Sequence, residues 1–255
     1  MTREIEMAET SKERMHGLYG KANPQFPVGL KDLRAYVKTG AALPPAPLSV
    51  DDYSEVTNWP MDGNNQYGDC TMAAAAHSIQ AWNAVVNRTD PVPSEPAVVT
   101  EYLKLTHGLD SGLVEANVLK TWRSAGLWGN KIVGYAPVNV HDLNQIKQAV
   151  HLFGLAYVGM QVPANAETQF DDGEAWTLAP GWQSQRIVGG HAVPIVGYDE
   201  TYFYVITWGA VQKMAYDWWQ TYGDEAWAIL PQEFKEAGGY DNLNLPQLMA
   251  DLHNV

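Results

Sequence analysis

The sequence contains a single cysteine, Cys70, among its 255 residues. One cysteine cannot form an intramolecular disulfide, so the fold does not depend on oxidation. Basic residues are also scarce: 16 lysines and arginines stand against 29 aspartates and glutamates, and the formal net charge is −13. Nucleic acids and anionic membranes are bound through positively charged surfaces. We therefore expect neither nucleic acid nor a membrane as a partner.

Long hydrophobic runs are absent as well. No apolar stretch reaches the roughly 20 residues that a transmembrane helix needs, and residues 1–21 are charged throughout, unlike a signal peptide. Hydrophobic residues nevertheless make up 46% of the chain, enough for a large core. The sequence therefore predicts a globular protein without an export signal or a membrane span.

Two regions differ in composition. Residues 1–52 combine charged sequence with many prolines and glycines, which interrupt regular elements. We interpret them as an N-terminal arm that wraps the body and docks through side chains such as Phe26 and Tyr36. Residues 53–255 form the body, with a mainly helical half at 53–130 and a mainly β half at 131–255. Helices followed by strands, without a long linker, indicate an α+β fold with two packed halves.

Periodicity and capping residues predict the individual elements of the body. We expect helices at residues 70–86, 94–108, 113–126 and 140–154. We expect strands at residues 131–138, 155–163, 191–199, 202–209 and 224–230.

Cys70 and His191 are the two side chains whose chemistry and position best suit catalysis. Cys70 begins a predicted helix, where the helix dipole and unpaired N–H groups favour the thiolate. A buried cysteine beside alanines is also common as plain packing. His191 follows Gly189 and Gly190 at the start of an apolar strand, from which it can face a cleft. A structural histidine at this position is the competing interpretation.

Three motifs follow one another along the chain: "NNQYGDC" at 64–70, "HAVPIVGY" at 191–198 and "ITWG" at 206–209. This order resembles the papain-like cysteine peptidases, in a divergent form of bacterial or bacteriophage type, over roughly residues 55 to 230. The separation of Cys70 and His191, 121 positions, is close to the roughly 130–150 of that family. The resemblance implies the papain-like fold, with Cys70 as nucleophile and His191 as its base.

The sequence departs from the family at the oxyanion hole. The family glutamine falls in register on Asn64, while Gln66 is the nearest glutamine. An amide at any of these positions could donate to a developing oxyanion beside the N–H of Cys70. We favour Asn64, and Asn64, Asn65 and Gln66 as simple turn residues remain the alternative.

A second departure concerns the residue that orients the histidine. The family asparagine falls on Ile206, which has no hydrogen-bonding group. Thr207 is the next candidate, but on a regular strand it points away from the face that Ile206 and Trp208 share, unless a bulge reverses it. Asp199 lies in a sequence typical of a turn. We therefore expect a vacant third position and a Cys–His dyad.

The resemblance implies a thiol hydrolase that cleaves amide bonds in a peptide or protein substrate, without a metal or an organic cofactor. One alternative is a structural or interaction component of a viral particle or another assembly, with weak or lost catalysis and other protein subunits as partners. A weaker alternative is a peptidoglycan amidase. The expected location is cytoplasmic or virion-associated.

Two further features are open to a functional interpretation. His77 lies seven residues after Cys70, on the same helix face, and we expect a core histidine rather than a metal ligand. The acidic stretch at 169–176, "QFDDGEAW", is expected as a solvated loop near the cleft, with selection of basic substrate residues as its functional alternative.

Overall fold

Helices surround a twisted antiparallel sheet in the computed structural model, which describes residues 15–51, 53–86, 91–236 and 240–255. The strands of this sheet are β1 (Val50–Asp51), β2 (Ile132–Pro137), β3 (Ala156–Pro163), β4 (Ile187–Tyr198), β5 (Tyr202–Thr207), β6 (Ala210–Ala215) and β7 (Gly223–Pro231). The helices are α1 (Cys70–Val85), α2 (Glu95–Leu105), α3 (Glu115–Ser124), α4 (Leu143–Phe153), α5 (Ala164–Asp171), α6 (Tyr216–Tyr222), α7 (Gln232–Glu236) and α8 (Leu245–His253).

Strand β3 lies inside the sheet, between β7 and β4. The strands follow the order β2-β7-β3-β4-β5-β6, and β1 pairs with β4. On one side of β3, Met160 lies opposite His191 of β4. On the other side, Gly159 lies opposite Glu225 of β7. Adjacent positions of β3 therefore face a histidine on one neighbouring strand and a carboxylate on the other.

Helix α1 is buried along most of its length and packs against β4. Its small side chains, mainly alanines, allow other elements to approach closely. Its first residue is Cys70, directly after the N-cap Asp69. The hydroxyl of Tyr157 on β3 donates to the Thr71 carbonyl at 2.6 Å, which ties the start of α1 to the sheet. The sheet therefore determines where the cysteine lies.

The predicted body elements are confirmed in the four helices α1 to α4 and in the strands β2, β3, β4, β5 and β7. The predicted end of the first helix, residue 86, lies one residue beyond the end of α1 at Val85. Sequence periodicity did not indicate α5, β6, α6, α7 or α8. These elements are short, and segments of this length are formed by tertiary packing more than by intrinsic propensity.

The described part of the N-terminal arm, residues 15–51, lies against the body. Leu33 and Tyr36 are fully buried, and the Tyr36 hydroxyl donates to Asp251 at 2.9 Å. Val50 pairs with Tyr198 of β4. Residues 1–14 and Asp52 lie outside the described residues, so the boundary at 52 remains a prediction, as does the division of the body at 130.

Within the described ranges, no helix combines the length and the apolar character needed to cross a bilayer.

Candidate active site

Cys70 and His191 come together where α1 meets β4. Both side chains line the same narrow cavity, and both are about 1% exposed. The backbone N–H of Ala192, directly after the histidine, favours the thiolate form of Cys70 and so acts to lower its pKa. The helix and the strand therefore place a thiol and an imidazole on one cavity, the residue types that nucleophile and base chemistry requires.

Thr207 contacts the imidazole, and the expectation that it points away is wrong. Its Oγ1 lies 2.7 Å from Nε2 of His191. The expectation assumed that the pleat continues through Trp208, but β5 ends at Thr207. Trp208 and Gly209 form a tight hairpin turn with positive φ values of 46° and 74°, a conformation typical of two-residue hairpins. The turn breaks the alternation and leaves Thr207 facing His191.

The bond to Thr207 has a consequence for the histidine's tautomer. When Nε2–H donates to Thr207 Oγ1, Nδ1 carries the free lone pair that a general base needs. His191 Nδ1 is buried and has no hydrogen-bond partner among the described residues. The third position is therefore occupied by a hydroxyl, and the expectation that it is vacant is wrong.

Ile206 and Asp199 play no part in holding the imidazole through hydrogen bonds. Ile206 is buried against the same cavity. Asp199 lies in the turn between β4 and β5, where its carboxylate accepts from Thr201 N, Tyr202 N and the Tyr204 hydroxyl. Asp199 is thus a turn residue, as its sequence context indicates.

Asn64 is the amide that lies beside the cavity. It is buried and lines the same space as Cys70 and His191, whereas Asn65 and Gln66 are exposed. The Asn64 Nδ2 donates to the carbonyl of Leu18 at 3.0 Å and to that of Tyr67 at 3.1 Å. This side chain therefore already binds a peptide carbonyl at the mouth of the cavity.

Trp208 shields the imidazole from solvent. Its ring centroid lies 4.8 Å from that of His191, with an interplanar angle of 33°. Phe170 and Trp176 pack edge-on against the same indole. The environment of His191 is therefore aromatic and has a low local polarity.

A segment of the N-terminal arm, residues 16–22, lies across this cavity, and we call it the covering segment. Its backbone is held on both sides, as an added β-strand would be. Lys21 N donates to Gly190 O at 3.1 Å, and Leu113 N donates to Gly20 O at 2.9 Å. Leu18 N donates to Asn64 O at 2.7 Å. The segment is therefore an extended peptide bound in a cleft between the helical part and the sheet.

At Gly20, in the centre of the covering segment, the backbone lies too close to that of Gly68 for any side chain to fit. A Cβ on Gly20 would lie 1.5 Å from the Gly68 carbonyl oxygen. The N–H of Gly20 lowers the pKa of Cys70, against the larger effect of burial, and the Tyr19 ring lies edge-on to His191, with centroids 5.9 Å apart. A nucleophile attacks a carbonyl carbon, whereas the group of Gly20 that acts on the thiol is its N–H, so this arrangement is unproductive.

Burial favours the neutral forms of both Cys70 and His191. It raises the pKa of Cys70 to about 12, although the N–H groups of Ala192 and Gly20 work in the opposite direction. Burial lowers the pKa of His191 to about 3. Desolvation therefore outweighs the helix dipole that the sequence led us to expect as an activating influence. In the covered state, the thiol and the imidazole are both uncharged at neutral pH.

His77 is a second imidazole on the wall of the cavity. Its Nε2 lies 2.9 Å from the Pro60 carbonyl oxygen and 3.3 Å from Asp62 Oδ2. Burial lowers its pKa to about 4. These contacts tie the ring to the loop that precedes α1, as expected of a core histidine.

The acidic stretch at 169–176 is partly engaged with the covering segment. Asp171 contacts His16, with 2.9 Å between Oδ2 and Nδ1, and Trp176 is fully buried. Sequence reasoning missed the covering segment and two buried carboxylates near it, Glu115 and Glu225. A signal for Glu225 was present, since a glutamate within the apolar strand "DEAWAIL" is unusual.

Comparison with known proteins gave structural matches only. No protein-family model matches the chain, and no curated protein does. The fold is similar to that of xylellain, a cysteine protease from Xylella fastidiosa, with a TM-score of 0.64 and 18% identity over 86% of this chain and 98% of that one.

Two further structures are similar at lower identity. The protease and lectin-like domains of Cwp84, a surface layer associated protein of Clostridium difficile, give a TM-score of 0.54 and 12% identity over 74% of this chain and 54% of that one. Digestive procathepsin L 3 of Tenebrio molitor larval midgut gives a TM-score of 0.53 and 13% identity over 86% of this chain and 76% of that one. The chain thus has the papain-like fold, in which a helical part that carries the cysteine packs on an antiparallel sheet that carries the histidine.

Proposed function

We propose that the chain is a thiol peptidase that works through Cys70 and His191 and is kept inactive by its own covering segment. The observation that carries this proposal is the His191 imidazole, which contacts Thr207 through Nε2 and leaves Nδ1 without a partner among the described residues, on the cavity that Cys70 also lines. A peptide segment bound across these groups supports a peptide as the substrate.

In the proposed reaction, the covering segment first leaves the cleft. His191 Nδ1 then takes the proton of Cys70, and the sulfur attacks the substrate's carbonyl carbon. The Asn64 Nδ2, which donates to the Leu18 carbonyl in the covered state, donates to the oxyanion together with the Cys70 N–H. The imidazolium returns its proton to the leaving amine, and water hydrolyses the thioester to give the acid and the free thiol.

An inert protein of this fold, built into a viral particle or another assembly, is the second candidate. The observation that favours it is the complete burial of Cys70 under the chain itself. The two candidates differ once the cleft is open, because only the peptidase then turns over a peptide.

The full-length Gly20→Ala variant tests this proposal, because the added methyl overlaps the Gly68 backbone and we expect it to displace the covering segment. We expect this variant to hydrolyse amide bonds in a mixed peptide library, as seen by mass spectrometry of the products. The matched variant that also carries Cys70→Ser should be inactive. An exposed, alkylatable Cys70 without any hydrolysis would establish the inert alternative.

Thr207→Val in the Gly20→Ala background tests the hydroxyl as a positioning group. Valine keeps the shape and removes the bond to His191, and a hydrogen bond to a charged partner contributes about 1.5–3 kcal/mol, or roughly ten- to a hundredfold in rate. We expect kcat to fall by this factor with little change in KM. Thr207→Ser should restore kcat, whereas a purely structural role would leave the serine variant as impaired as the valine variant.

A further inference from the structure

Lys21 of the covering segment reaches into a closed acidic pocket beside the cleft. We define this acidic pocket by Glu115, Asp224 and Glu225. The Lys21 ammonium lies 2.9 Å from Asp224 Oδ1 and 2.9 Å from Glu225 Oε1. The side chains of Lys21 and Glu225 are 0% exposed, and that of Asp224 is 20% exposed. The pocket thus surrounds a complete lysine side chain.

The body of the protein, and not the covering segment, builds the acidic pocket. Glu115 is the first residue of α3, and Asp224 and Glu225 lie on β7. Gln161 Nε2 donates to Asp224 Oδ2 at 2.6 Å, and Trp227 Nε1 donates to Glu225 Oε2 at 3.1 Å. Helix and sheet therefore hold the carboxylates in place independently of the lysine.

The floor of the acidic pocket is a glycine. A Cβ on Gly159 would lie 1.9 Å from Lys21 Cε and 2.6 Å from Glu115 Oε1. Any larger residue would fill the space that the lysine stem occupies. The glycine on β3 therefore sets the depth of the pocket.

The acidic pocket places three carboxyl groups around one lysine ammonium. Burial lowers the pKa of Lys21, but Glu115, Glu225 and Asp224 outweigh this and raise it. Burial, and then the charge of Glu225, raises the pKa of Glu115 well above its usual range. Neither Glu115 oxygen has a hydrogen-bond partner of good geometry among the described residues. The site is built for a cation, since buried carboxylates without one are costly.

The backbone of the covering segment shows how a peptide reaches this pocket. Lys21 N donates to Gly190 O, next to His191, and Ala22 N donates to Leu113 O, two residues before Glu115. These contacts involve only main-chain atoms of the segment, so any extended peptide can make them. The side chain at the Lys21 position then enters the acidic pocket.

We propose that the acidic pocket of Glu115, Asp224 and Glu225 selects substrates by a basic side chain, lysine or arginine, close to the cleaved bond. This inference rests on the proposed peptidase function. Lys21 thereby acts as an internal copy of the substrate's basic residue. The acidic loop at 169–176 is not needed for this selectivity.

The full-length Gly20→Ala, Lys21→Met variant frees the cleft and the acidic pocket together. We would offer it a peptide library in which each position in turn carries Lys, Arg, Met or Glu. We expect one position near the cleaved bond to prefer Lys over Met by at least about tenfold in kcat/KM, because methionine would leave the buried carboxylates unpaired. Glu225→Gln should reduce this ratio by at least about tenfold, and Glu174→Gln, an exposed carboxylate on the acidic loop, should leave it unchanged.

A binding measurement separates this inference from the proposed function. The octapeptide MHGLYGKA, identical to residues 15–22, should protect Cys70 of the same variant from iodoacetamide, and MHGLYGMA should protect at least about tenfold less well. Selective protection without cleavage of any library member would overturn the peptidase and retain the pocket. Cleavage without a basic preference, and equal protection by both peptides, would overturn the pocket and retain the peptidase.

Gly159→Ala provides an independent variant should Glu225→Gln fail to fold. It alters no carboxylate, and its methyl occupies the lysine stem's space. We expect loss of the preference for Lys while peptides with small residues at that position are still cleaved. A preference retained in this variant would place the recognition of basic residues elsewhere.

Discussion

Replacement of Gly20 by alanine should raise the rate at which Cys70 is alkylated at pH 7 by about a thousandfold or more. The methyl cannot be accommodated, because it would lie 1.5 Å from the Gly68 carbonyl oxygen and both sides of this contact are backbone. Displacement of residues 16–22 exposes the sulfur to water and removes the burial that raises its pKa to about 12 from 9.0. A change of three pH units in pKa alters the thiolate fraction by about a thousandfold.

The pH dependence of alkylation distinguishes displacement from general loosening. In the unsubstituted protein the thiol is neutral below about pH 12, so its slow alkylation should keep rising with pH through the alkaline range. In Gly20→Ala the rate should reach a plateau near or below neutral pH, because a paired cysteine ionises there. Mass spectrometry of iodoacetamide-treated samples measures both profiles.

Gly29→Ala is the matched control for this experiment. It adds the same methyl to the same arm, where nothing lies within 4 Å. Its positive φ of 94° makes the alanine cost roughly 1–2 kcal/mol locally without touching the cleft. Equal alkylation rates in Gly20→Ala and the unsubstituted protein would contradict the covering role of the segment.

The parts of the site that the sequence predicts are those encoded over a few consecutive residues. Asp69 and Cys70 precede an alanine-rich helix, and this local pattern correctly predicts a helix that begins at Cys70. Gly189 and Gly190 precede an apolar strand, and this pattern correctly predicts a strand that carries His191. Local backbone preferences and periodicity determine such features, and they need no knowledge of distant contacts.

The contact of Thr207 with His191 could not be read from strand alternation alone. It depends on where the strand stops, and a turn with a tryptophan at positive φ is rare enough that the sequence "TWG" does not indicate it. The glycine that follows is the usual residue for such a turn. The end of β5 at Thr207, two residues before the predicted end at 209, thus decides which side chain orients the imidazole.

The covering segment and the acidic pocket could not be predicted from the sequence, because their residues meet only through long-range packing. The Lys21 ammonium meets carboxylates more than 200 positions later in the chain, and Glu115 joins them from the other half of the fold. Apart from Glu225, whose place in an apolar strand is unusual, each residue alone looks like an ordinary surface charge in a chain that carries many of them. Only the packing of β7 beside β3 and the passage of the arm through the cleft bring these charges together.

His191→Ala in the Gly20→Ala background should lower kcat/KM for a cleaved peptide by about a thousandfold or more, in line with the loss of a base in other nucleophile–histidine pairs. The same variant should lose the rapid alkylation of Cys70 near pH 6, because no imidazolium remains to stabilise the thiolate. Iodoacetamide labelling and peptide hydrolysis, measured on the same preparations, give both results.

His77→Gln in the same background is the decisive comparison, because His77 also lines the cavity. Its ring is engaged by the Pro60 carbonyl and lies near Asp62, whereas His191 contacts Thr207 through Nε2 and has no Nδ1 partner among the described residues. We therefore expect His77→Gln to keep kcat/KM and low-pH alkylation within about tenfold of the Gly20→Ala protein, with a lower Tm from the lost loop contact. A thousandfold loss in His77→Gln with normal reactivity in His191→Ala would transfer the base to His77. Equal small effects of both substitutions would leave Cys70 without a base and overturn the proposed mechanism.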